Sequence, residues 1–181
     1  LLLDEIQNGK AEFDKLVDSS DLLPEDQKKS FQESVRRKAA EAEDAIQKLD
    51  VNAATAEQAE VIQEQAVTEE DKFFKFIASS TVDFTLVAKL ADLEANPNLS
   101  EAEKKAVRGE IEQVVEAAKK AIEGADSQEV YDRAKETAVA HLAKIHPIGK
   151  EQFLKEIQEE KTATIEAVEK SQSLSTEEKT A

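Results

Sequence analysis

Cysteine, tryptophan and methionine are absent from this 181-residue chain, and glycine (four), proline (three) and tyrosine (one) are scarce. Without cysteine there are no disulfides and no thiol chemistry, although this alone does not fix the compartment. With few glycines and prolines, and Ala, Glu, Lys, Gln and Leu dominant, the vocabulary is that of long helices. Seven phenylalanines and one tyrosine are too few for an aromatic core, so Leu, Ile, Val and Ala must fill it, which suits slender helical packing. No stretch approaches the ~18 consecutive apolar residues of a membrane span. No basic-then-apolar leader stands at Leu1, and the chain begins and stops mid-pattern, as an excised piece of a larger protein would.

Charge of one sign is in excess. Forty acidic residues against 24 basic ones leave a net charge of −16. Nucleic acid and anionic membranes would be repelled, so neither is an expected partner. Basic residues sit among acids, as in Arg36-Arg37-Lys38 followed by Glu41, Glu43 and Asp44, and read as a solvated helix face laced with ion pairs.

What the chain does have is a period. Leu23-Pro24-Glu25-Asp26-Gln27-Lys28-Lys29 returns as Leu99-Ser100-Glu101-Ala102-Glu103-Lys104-Lys105, 76 residues later. It starts again after 75 more, at Leu174-Ser175-Thr176-Glu177-Glu178-Lys179. A fixed period marks a supersecondary unit used as a building block. The units are placed at 1–78, 79–146 and 147–181, the last holding only a first helix and the start of a second.

Each unit parses into helical segments A, B and C. Apolar stripes mark A: Leu2, Ile6, Phe13 and Val17; then Val82, Leu86, Leu90 and Leu93; then Phe153, Ile157, Ile165 and Val168. Val17, Leu93 and Val168 all lie six residues before the leading Leu. Segment B opens on capping boxes at Ser100 with Glu103 and Ser175 with Glu178, and on Pro24 in the first copy. It ends near Leu49 and Ala125. Segment C opens at Thr55 with Gln58, and near Asp126 or Ser127 with Glu129. A longer turn from Asp50 to Ala54 explains why Ala66-Val67 matches Ala138-Val139 at an offset of 72.

The predicted fold class is all-α: tandem three-helix bundles in an elongated array. At the first junction two readings stand. One is a continuous helix from Ala56 to Ala95, of roughly 60 Å; the other is a break at Ser79-Ser80-Thr81. At the second, His146-Pro147-Ile148-Gly149 predicts a kink or short turn.

Catalytic equipment is not apparent. His141 and His146, five apart, lie on different faces of a helix and do not make a zinc pair, and no cofactor is implied. The di-iron Glu-x-x-His pattern does not occur. Glu69-Glu70-Asp71 lacks the turn of an EF-hand loop and reads as solvated helix surface. No phosphate loop or nucleophile elbow is present, so the chain does not read as an enzyme.

One region stands out. Phe73, Phe74, Phe76 and Phe84 fall within twelve residues. A single helix cannot turn Phe73, Phe74 and Phe76 inward together. They form either an inter-unit core that stiffens the joint or an apolar patch that captures a partner. Tyr131, which aligns with Ala59, reads as a residue at the core boundary.

The Ala-Ile pair near the end of B, the cap, and Ile145-His146-Pro147-Ile148 resemble a known family. Lys150, Ile157, Lys161, Ile165 and Leu174 to Lys179 complete the likeness. It is to the three-helix repeats of unknown function in giant Gram-positive cell-wall-anchored surface proteins, the Ebh-like extracellular-matrix-binding adhesins. It is closest from Asp83 to Ala181 and looser before Ala78. The resemblance implies a secreted, cell-wall-attached protein in which such repeats form a stalk, and a host matrix or serum protein such as fibronectin as partner. It carries no binding residues over.

Three functions follow. A stalk that spaces or presents an adhesive region predicts an elongated monomer at neutral pH, with independently folded units. A host-protein-binding module would use an apolar helix face. An intracellular helical scaffold would self-associate.

Overall fold

The computed structural model describes residues 1–49, 55–145 and 150–170. Six helices run in order: α1 (Leu2–Asp18), α2 (Glu25–Gln47), α3 (Ala56–Ala95), α4 (Glu101–Glu123), α5 (Gln128–Lys144) and α6 (Lys150–Lys170). The fold is all-α, an array of helical bundles, and no strand occurs among the described residues.

Local chemistry sets the helix starts. Ser100 Oγ accepts from the Glu103 backbone N–H at 3.3 Å, and the Glu103 carboxylate accepts from the Ser100 N–H at 2.8 Å, completing a capping box. Thr55 Oγ1 accepts from the Gln58 N–H at 3.2 Å. Pro24 holds the N-cap position of α2 with extended backbone and no side-chain bond. Ser127 precedes α5 and likewise makes no capping bond with its side chain. The 50–54 turn, the 146–149 junction and the Ser175 cap lie outside the described residues.

The first junction is a continuous helix. α3 has 40 residues and so a length of about 60 Å. Ser79-Ser80-Thr81 does not break it, and hydroxyls along this stretch bond back to the helix. Thr81 Oγ1 donates to the Ile77 carbonyl at 2.9 Å and Thr85 Oγ1 to that of Thr81 at 2.8 Å. The small side chain of Ser80 is buried between neighbours.

α3 is apolar on two opposite faces. At 100° per residue, Phe73, Phe84, Val87 and Ala91 share one face and Ala78, Val82, Leu86 and Leu93 the other. The first packs with Ile6, Phe13 and Val17 of α1 and Val35, Ala39 and Ala42 of α2. The second packs with Ile111, Val115 and Ile122 of α4 and Tyr131, Ala138 and Leu142 of α5. Sharing is therefore lateral: both helix pairs flank the same stretch of α3, from about Phe73 to Leu93. The two three-helix groups have α3 as a common wall.

Polar contacts fix the directions. α4 runs antiparallel to α3, with Lys119 Nζ 2.9 Å from Asp83 and Lys75 Nζ donating to the Ala125 carbonyl at 2.6 Å. Near the start of α4, Arg108 pairs with Glu94. α2 is antiparallel too, its Phe31 ring meeting Phe84 edge-on at 5.5 Å. α1 runs parallel to α3, placing Gly9 against Phe74 and Ile77.

α6 is different. Among the described residues it packs extensively on none of the other five helices, and Leu154, Ile157 and Ile165 are exposed. In the repeat register Ile6, Val82 and Ile157 are equivalent; they are 0%, 0% and 46% exposed.

Candidate partner-binding surface

The four clustered phenylalanines divide between two roles. Phe73 and Phe84 are buried in the core shared with α1 and α2. They lie eleven residues apart, about three helical turns, and so on one face. Phe74 lies between the two faces of α3 and packs against both cores, with its ring 5.5 Å from that of Phe73. Phe76 is half-buried beneath Lys38, whose Nζ lies 5.9 Å from the ring centroid, within cation–π range. In this arrangement only Phe74 and Phe76 keep partly accessible edges. Tyr131 is fully enclosed in the core beside α3. Burial first, and then Asp71, which its hydroxyl faces, push its pKa well above the ordinary range.

A second apolar surface escapes the sequence. α4 and α5 leave between them an open groove of about 550 Å³, lined by Val114, Ala117, Ala121, Val130, Ala134 and Thr137. His141 sits at its edge. The first unit has Lys38, Glu41 and Gln58 at the positions equivalent to Val114, Ala117 and Val130. The repeat itself therefore does not require an apolar groove. That comparison is the signal that could have found it; alanine alone is too ambiguous between core and surface.

The acidic run Glu69-Glu70-Asp71 is not the solvated surface predicted for it. All three residues are half-buried. Lys72 pairs with Glu69 at 2.6 Å and Lys75 with Asp71 at 3.4 Å. Glu70 points inward: its Oε1 is enclosed and has no hydrogen-bond partner. Desolvation, and then the Glu5 carboxyl beside it, push the Glu70 pKa up to about 7. Among the described residues, no group of three or more His, Cys, Asp or Glu is placed to hold a metal ion. No described helix is long and apolar enough to cross a membrane.

Residues 75–150 match the family model of Domain of Unknown Function (DUF1542). That is a domain found in surface proteins of Gram-positive bacteria. The matched segment holds the second half of α3, then α4 and α5, and covers less than half of the chain. Neither the curated proteins nor the solved structures give a match.

Proposed function

We propose that this chain is a non-enzymatic structural segment of a bacterial surface protein. In this reading tandem helical units form a stalk that spaces or presents an adhesive region away from the cell wall. The observation that carries it is the unit register of α6. Ile157 in its apolar stripe occupies the position of Ile6 and Val82, which is buried in both preceding units, yet it lies open here. Such a helix is the first element of a third unit, waiting for the next helix to cover it. The partial match to a surface-protein domain supports the setting.

The second reading, a module that binds a host matrix or serum protein, is favoured by the α4–α5 groove and by the accessible edges of Phe74 and Phe76. Equilibrium binding of the folded chain to fibronectin and a panel of serum and matrix proteins separates the two. The stalk predicts no binding at micromolar concentrations. Binding that is lost in Ala121→Glu, or in Phe74→Ser with Phe76→Ser, would replace the stalk with the module and locate its face.

A further inference from the structure

α1 and α3 run parallel, with Gly9 facing the side chains of Phe74 and Ile77. A Cβ on Gly9 would sit 2.8 Å from Phe74 Cε1 and 3.2 Å from Ile77 Cδ1, so the missing side chain leaves room for the ring and the isoleucine tip against α1. One helical turn back from each partner of that contact stand Glu5 and Glu70. Both pairs are separated by 65 residues, so the register that seats Gly9 on Phe74 also brings the two carboxyl groups together. Two carboxylates are both acceptors and cannot bond each other. The enclosed, unpartnered Oε1 of Glu70 is what that mismatch leaves behind. The repeat sharpens the point: at the offset of 72, Glu70 stands where the second unit has the fully buried Leu142.

The geometry points to a proton-operated clamp: a single proton shared by Glu5 and Glu70 holds the first turns of α1 on α3, and its loss loosens them.

The neighbours do not neutralise the pair. From α1 the Leu1 amino group, itself 3.4 Å from Asp4, gives the smallest and only opposing pull. On α3, Asp71 adds negative charge and is itself paired with Lys75. α5 brings Tyr131, which stays protonated, and Asp132, which Lys135 pairs at 2.7 Å. α2 brings Glu43, which accepts a hydrogen bond from Gln7 of α1.

The sign follows from linkage. The folded-state pKa of Glu70 lies above its unfolded value, rising from 4.5 to about 7. The clamp's contribution is therefore fully present below about 4.5 and lost as the pH rises through about 7. Ordinary carboxylates have already ionised by pH 5.5, which leaves a window in which Glu70 titrates.

The test is thermal unfolding of the whole chain at pH 5.5 and pH 8.0, for the parent, Glu70→Gln, Glu5→Gln and the exposed control Glu57→Gln. The expected result is a lower melting temperature at pH 8.0 in the parent and in Glu57→Gln. Each of Glu70→Gln and Glu5→Gln should cut that difference by half or more, and Glu70→Gln should melt higher than the parent at pH 8.0. His141 and His146 are kept in every variant. A parent-sized pH difference in both Glu70→Gln and Glu5→Gln would overturn the clamp, as would an equal loss in Glu57→Gln.

Discussion

At the scale of single residues, two glycines make opposite predictions. Gly9 lies in the α1–α3 contact, where an added methyl collides with a packed ring and an isoleucine. Overpacking costs about 1–3 kcal/mol, against the roughly 1 kcal/mol that alanine gains over glycine in a helix. Gly9→Ala should therefore destabilise the chain by about 1 kcal/mol. Gly109, inside α4, has nothing within 4 Å of its would-be Cβ, so Gly109→Ala should stabilise by about 0.5–1 kcal/mol. Urea denaturation of the two variants, read by far-UV circular dichroism, checks both signs. The Ser100 capping box is a third case: Ser100→Ala should cost about 1 kcal/mol, seen as a lower denaturation midpoint at unchanged slope.

At the scale of elements, much was legible because helix chemistry is local. The Ser100 and Thr55 caps and the stripe of Ile6, Phe13 and Val17 are spelled out in the residues themselves. So is the possibility of one helix from Ala56 to Ala95. The lateral sharing was not legible. Two apolar faces on opposite sides of α3 cancel in any one-sided periodicity, so Phe73 to Leu93 reads only as dense in apolar residues. The candidate surface was hidden for related reasons. Nothing local tells Phe73, which fills a core, from Phe76, which lies under Lys38. Likewise Glu70 turns inward beside Glu5, 65 residues away in sequence, and no short-range pattern records it.

At the scale of the molecule, net charge and the shared helix dominate. Forty carboxylates against 24 basic side chains keep copies apart at neutral pH, and protonating many of them near pH 4.5 removes most of that repulsion. Light scattering at low salt should therefore report a monomer at pH 7 and greater self-association at pH 4.5; equal scattering at both would refute it. The exposed stripe of Leu154, Ile157 and Ile165 on α6 is the apolar surface through which such association would proceed. Sharing α3 has a mechanical consequence as well. A load on one helix pair passes to the other through a common wall, which suits a spacer better than flexibly linked beads would.

The claim that matters most is that α3 makes the two helix pairs one cooperative unit. Tyr131, the sole tyrosine in a chain without tryptophan, reports on the α3–α4–α5 core alone. Val35 lies in the other core, fully buried, and Val35→Ala should cost about 1–3 kcal/mol. The decisive measurement is urea unfolding of Val35→Ala followed by Tyr131 fluorescence and far-UV circular dichroism together. If α3 couples the cores, both signals fall in one coincident transition and the Tyr131 midpoint moves down with the substitution. A Tyr131 midpoint equal to the parent's, beside a dichroism curve split into two steps, would contradict the account.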